Sequence, residues 1–172
     1  RFGLNAIKNV GQAAIDNIIT ERNKNGNFTN FHDFCLRVDS QKVNKKVLES
    51  LIKVGAMETF APRNAILISL DKVRADCDKI LLQQKSGQSS LFESSSSSSD
   101  GKITPPSDNF PEVDDMDEKQ KLAMEKELLG IYVTTNPISK LLVPFQDLSL
   151  PKISQITEKE SEISVKFSAV IT

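Results

Sequence analysis

Between residues 86 and 99, nine of fourteen positions are serine, the last six of them consecutive. Asp100-Gly101, Pro105-Pro106 and Pro111 extend a stretch with almost nothing to bury, so no packed core is expected to run through it. This 172-residue chain therefore has to be built on either side of a linker, residues 86–116, expected to be disordered. A composition of 38% hydrophobic and 26% charged residues suffices for one modest domain plus a tail, and it excludes a fibrous, collagenous or wholly disordered chain.

Several function classes fall away early. No run of 18 apolar residues occurs and the opening Arg1-Phe2-Gly3-Leu4 is not a basic-then-apolar leader, so neither a membrane span nor a secretory signal is expected. The start at Arg1 reads as that of a segment cut from a longer chain. Cys35 and Cys77 are far apart in sequence and match no Cys-x-x-Cys spacing, which fits reduced thiols in a cytoplasmic protein better than a disulfide framework or a zinc site. The formal net charge of −1 hides an asymmetry. Residues 1–85 carry 14 Lys and Arg against 9 Asp and Glu, whereas residues 86–172 carry 8 against 14. A basic module that meets a polyanion, joined to an acidic tail, is the expected organisation.

The basic half reads as four short helices without a strand, an all-α unit spanning residues 1–85. Ala14, Ile15, Ile18 and Ile19 recur at helical spacing before Asn25-Gly26-Asn27 stops the element. Phe28, Phe31, Phe34, Cys35 and Val38 form a second stripe, with Thr29 or Asn30 as the N-cap and Asp33 favourably placed in the first turn. Val47, Leu48, Leu51 and Ile52 mark a third helix ended by Gly55. Pro62 opens a longer fourth, with Ile66, Leu70, Val73, Cys77, Ile80 and Leu81 on its apolar face. Beyond the linker, Asp117 caps a connecting helix ended by Gly130, within a connecting segment 117–150 that is irregular from Tyr132 to Pro144. Residues 162–172 alternate with period two and read as one strand. One strand does not stand alone, so residues 151–172 are expected to begin a further β domain.

The chemistry-bearing pattern is Ile7-Lys8-Asn9-Val10-Gly11-Gln12. A tight turn here between two helical segments leaves the first backbone amides of the following helix pointing outward, and amides at a helix N-terminus, with the positive end of its dipole, hold a phosphate. Lys8 adds a point charge, and Asn9 stands where a left-handed backbone is wanted, which asparagine tolerates. Such a unit resembles the helix-hairpin-helix motif, which grips the sugar-phosphate backbone without reading bases. An ordinary interhelical turn remains the alternative. A degenerate second copy, Lys45-Lys46 through Ile52-Lys53-Val54-Gly55, repeats the apolar-Lys-x-Val-Gly ending about 44 residues on. The expected DNA-binding set is thus Lys8, Asn9, Val10, Gly11 and Gln12 with Lys45, Lys46, Lys53, Val54 and Gly55, the second group serving a structural role if Gly55 is only a helix stop.

The wording of residues 1–11, 28–37 and 43–56 closely resembles the bacterial replicative DNA polymerase III alpha-subunit family, DnaE type. So does Glu125-Lys126-Glu127-Leu128-Leu129-Gly130-Ile131-Tyr132, with Asn136 at a position where that family usually has histidine. The resemblance implies a tandem helix-hairpin-helix domain, the Ser-rich linker, the connecting helix and the first strand of an OB-fold-like domain. It further implies that the parent enzyme is a DNA-directed DNA polymerase using two magnesium ions, with its catalytic aspartates upstream; no catalytic or metal residue and no cofactor are expected in this segment. Double-stranded DNA, the sliding clamp (beta subunit) and other replicase subunits are the implied partners.

Gln88, Leu91 and Phe92 have the spacing of the family's clamp-binding peptide. Independently of the name, two adjacent large apolar side chains in a Ser/Gly tract have no local core to join, and such anchors are commonly ligands. The alternatives are a helix-hairpin-helix module of a DNA repair protein and a helical protein-interaction domain. The acidic run Asp108, Glu112, Asp114, Asp115, Asp117 and Glu118 reads as a solvated stretch ending in an N-cap rather than a two-metal site. His32, the sole histidine and without a partner at motif spacing, reads as a surface or half-buried residue.

Overall fold

The structure is a computed structural model that describes residues 3–85 and 105–135. Residues 86–104, with Gln88, Leu91 and Phe92, lie outside the described residues, as do Asn136 and the expected strand and OB-like start at 151–172. The chain divides into two units, Arg1–Ile131 and Tyr132–Thr172. All regular elements among the described residues are helical: a 3-10 turn at Leu4–Ala6, then α1 (Gln12–Asn25), α2 (Phe31–Arg37), α3 (Lys45–Lys53), α4 (Arg63–Lys85) and α5 (Glu118–Leu129). None is long and apolar enough to cross a membrane.

Local chemistry sets the ends of these helices. Asn30 caps α2 by accepting from the Asp33 amide at 2.7 Å, and the Asp33 carboxylate accepts from the Thr29 amide at 2.9 Å. Asn44 caps α3 in the same way, accepting from the Val47 amide at 3.1 Å. Gly26 and Gly130 stop α1 and α5 at φ 78° and 75°, a backbone that favours glycine. Arg37 at the end of α2 reaches back to the end of α1, donating to the Glu21 and Gly26 carbonyls at 2.8 and 2.9 Å and lying 4.3 Å over the Phe28 ring.

The apolar stripes meet in one core. Ala14, Ile15 and Ile18 from α1, Phe31, Phe34 and Cys35 from α2, Val47, Leu48, Leu51 and Ile52 from α3, and Ile66, Leu70, Val73 and Cys77 from α4 are all buried in it. Ile19, expected on the same stripe, is instead 38% exposed. Phe31 is the hub, with ring centroids of Phe34, Phe60 and Phe110 at 6.3–6.4 Å. Cys35 and Cys77, distant in sequence, come together where α2 packs on α4, and Cys77 Sγ donates to the His32 carbonyl at 3.9 Å; the neighbouring Cys77 thiol, together with burial, pushes the Cys35 thiol above its ordinary range.

Phe110 marks a departure from the expected division of the chain. Of the 86–116 linker, residues 105–116 are described, and they strap the helical unit instead of standing free of it. Asn30 Nδ2 donates to the Pro106 carbonyl at 3.1 Å, and the Asp108 carboxylate accepts from the Phe31 and His32 amides at 2.7 and 3.0 Å. His32 is accordingly buried, its Nδ1 2.5 Å from Asp108, which corrects its placement at the surface or half-buried. Asp108 likewise leaves the solvated acidic run to satisfy the first amides of α2. The connecting helix α5 is also part of the Arg1–Ile131 unit rather than a separate segment, and packs against α3.

Candidate nucleic-acid interface

Residues 7–10 make the turn that the sequence pattern promised, although the helix before it is a single 3-10 turn. The Val10 amide donates to the Ile7 carbonyl at 3.2 Å, and Asn9 has φ 69°, the one left-handed non-glycine residue described. Ile7 and Val10 are buried in the core; Lys8, Asn9, Gly11 and Gln12 face solvent. That alternation fixes the turn from beneath and exposes its polar side.

Gly11 is the N-cap of α1, with φ −80° and ψ 160°, a conformation open to any residue. A Cβ built on it meets nothing within 4 Å. Neither backbone strain nor internal crowding calls for glycine here, so the bare backbone presents an unobstructed approach to the first turn of α1. No side chain caps that turn. The Gln12 and Ala13 amides precede the first i→i−4 bonds of the helix and lie at the surface. Among the described residues Lys8 makes no ion pair. The Gln12 side chain is spoken for, donating to Asp16 at 2.7 Å, which leaves its backbone amide as the group offered outward.

Gly55 has the opposite job. It follows the end of α3 at φ 83°, its amide donating to the Ile52 carbonyl at 2.9 Å while the Ala56 amide donates to Leu51 at 2.9 Å, the paired bonds of a glycine-terminated helix. No helix opens there; turns occupy residues 54–60 before α4 begins at Arg63. A Cβ on Gly55 would stand 2.5 Å from Arg63 Nη2. Arg63, 2% exposed, donates to the Lys53 carbonyl at 2.8 Å, to Glu58 at 2.6 Å and to the fully buried Glu125 at 3.0 Å. Val54 and Gly55 are therefore packing features, the structural role left open for the second copy.

The three lysines of that copy separate. Lys45 turns toward α4, 2.7 Å from Asp71. Lys46 is exposed, one helical turn before Ser50, and Lys53 is half-buried one turn after it. Ser50 Oγ accepts from Asn9 Nδ2 at 3.2 Å, so α3 brings Lys46 and Lys53 to the side of the first hairpin. Ser50 escaped the sequence pattern because nothing distinguishes it from a tolerated helix serine. Arg63 and Glu125 left a trace: each puts a charge on the apolar stripe of its own helix, three residues from Ile66 and from Leu122 or Leu128. Among the described residues no group of three or more His, Cys, Asp or Glu is gathered as for a metal.

Comparison with known proteins agrees with this geometry. A helix-hairpin-helix motif family matches residues 1–67. The chain is similar to DNA polymerase III alpha subunits: 35% identical over 160 residues to that of Mycobacterium tuberculosis, 34% over 174 residues to that of Borreliella burgdorferi and 38% over 137 residues to that of Thermus aquaticus. These alignments cover 89%, 99% and 80% of this chain but only 13%, 15% and 10% of the relatives. The chain thus spans about one seventh or less of the polymerase subunits it matches.

Proposed function

We propose, from that similarity, that this chain is the non-catalytic DNA-binding and clamp-tethering segment of a bacterial replicative DNA polymerase, a fragment of a DNA-directed DNA polymerase whose nucleotidyl transfer is performed elsewhere in the parent enzyme. The observation that carries the DNA-binding part is the Lys8–Gln12 turn: exposed amides at a helix start that no side chain caps, a glycine with open space where a Cβ would be, and beside them an exposed lysine that makes no ion pair among the described residues. Phosphate contacts of this kind position a duplex without reading its sequence. Lys46 and Lys53, brought alongside by the Asn9–Ser50 bond, extend the positive surface.

Gln88, Leu91 and Phe92 supply the tether in this proposal, two apolar anchors and a rim hydrogen-bonding group docking into the ring-shaped clamp. Joining a weak DNA grip to a ring that encircles the duplex raises processivity through effective concentration. Anisotropy titrations of the full chain with unrelated duplexes at two salt concentrations test the first part. Equal, weak affinities with a salt slope of a few phosphates are expected, and Lys8→Glu lowers both affinity and slope. Absence of binding at low salt overturns it. Leu91→Ala with Phe92→Ala is expected to abolish clamp capture and leave DNA affinity unchanged; retention of the ring by the double variant places the anchor elsewhere.

A further inference from the structure

The Lys8–Asn9 turn is held from two sides by elements remote in sequence. From α3, Ser50 Oγ takes the Asn9 side chain at 3.2 Å. From α5, the Leu128 carbonyl accepts the Lys8 backbone amide at 2.9 Å. Carbonyls in the last turn of a helix have no intrahelical donor and carry the negative end of its dipole, so Lys8 N–H supplies what the end of α5 lacks. The Lys126 carbonyl takes the Gly130 amide at 3.0 Å, while Leu128 turns to the hairpin.

What seats α5 is also specific. Glu125 is completely buried and lies 3.0 Å from Arg63 Nη2, itself buried, and Leu128 packs one turn further on. A carboxylate taken out of water needs that guanidinium; undocking α5 would leave Arg63 with one fewer counter-charge. An unbroken path therefore runs from the Glu125–Arg63 pair through the α5 backbone to Leu128 O, Lys8 N–H and the exposed amides of α1.

We propose that α5 is a working part of the phosphate-binding hairpin, with Glu125 and Arg63 as positioning residues: docked α5 fixes the Lys8–Asn9 turn in the geometry that cradles a phosphate, and loosened α5 releases it. This rests on the reading of residues 7–12 as the phosphate site. Coupling of this kind is reciprocal, and a duplex on the hairpin in turn holds α5 down.

The test uses the full chain with a duplex of about two helical turns, measured by amide hydrogen exchange and by anisotropy. In the wild type, DNA is expected to slow exchange at Lys8 and across the last turn of α5 together. Protection at Lys8 with none in α5 overturns the coupling without needing any variant. Glu125→Gln, which keeps the side-chain shape and removes its charge, is expected to speed Lys8 amide exchange and weaken duplex binding by about five- to tenfold. Lys8→Glu is expected to lose affinity with the α5 amides still protected as in the wild type. If Lys8→Glu binds as the wild type does, the phosphate-site reading itself fails. If Lys8→Glu weakens binding while Glu125→Gln frees the Lys8 amide at unchanged affinity, the reading stands and the positioning role falls.

Discussion

The two Val-Gly turns share a sequence ending and almost nothing else. Val10-Gly11 opens a helix, with Gly11 in an extended backbone and open space around it; Val54-Gly55 closes one, with Gly55 left-handed and pressed against a buried guanidinium. Glycine is used in one place for what it leaves room for outside the molecule and in the other for what it lets the chain do inside it. A repeated pentapeptide marks repeated helical architecture, but not repeated chemistry.

The sharpest way to break this comparison is to add a methyl group at each turn. Gly55→Ala forces a side chain into a left-handed backbone and into Arg63, and is expected to destabilise the fold by roughly 2–4 kcal/mol in urea unfolding. Gly11→Ala should cost no more than about 1 kcal/mol, yet weaken duplex binding because the new methyl group faces the phosphate approach. Equal stability losses at the two sites would erase the distinction.

A smaller effect separates neighbouring lysines. Lys46→Ala is expected to reduce the salt slope of DNA binding by about one. Lys45→Ala, which gives up an exposed pair with Asp71, should leave the slope alone and change stability by no more than about 0.5 kcal/mol. Matching slopes would show that α3 does not sort its lysines toward the hairpin.

The smallest effect concerns the strap leading into α5. Partial burial tends to raise the Asp115 carboxyl, but hydrogen bonds from Lys121 and the Met116 amide win and hold it below its ordinary 3.8. A carboxyl depressed in the folded state adds stability that is present above the unfolded value and is lost as pH falls through the folded one. The strap is therefore expected to weaken only in acid, below about pH 4, and Asp115→Asn should flatten that fall by giving up the small contribution at neutral pH while changing nothing at the acid end. Denaturation at pH 7 and pH 3 measures both, and an unchanged acid dependence in the variant removes Asp115 from the strap's acid response.

Much of the helical unit is legible in the sequence because its signals are local. Asn30 as a cap, Gly26, Gly55 and Gly130 as stops, and the buried faces of α2, α3 and α4 all follow from side chains acting within one turn of their own backbone. The turn at Asn9 is legible for the same reason. The boundary of the unit is not. Low hydrophobicity over residues 86–116 masks Phe110 and Asp108, two residues whose value depends on the Phe31 ring and the free amides of α2 being in reach.

The residues themselves determined the helices, their ends, the basic half and the amide-bearing turn, since periodicity, capping and φ preference operate over a few neighbours. Tertiary structure alone decided that Gly55 is packed and Gly11 open, that Lys46 rather than Lys45 flanks the hairpin, and that α5 completes the unit through Glu125 and Leu128. Those outcomes depend on partners 40 or more residues away in the case of Asn9 and Ser50, and 62 in that of Arg63 and Glu125. Buried charge and unsatisfied carbonyls have to find partners wherever the fold brings them, and no short-range pattern encodes that meeting.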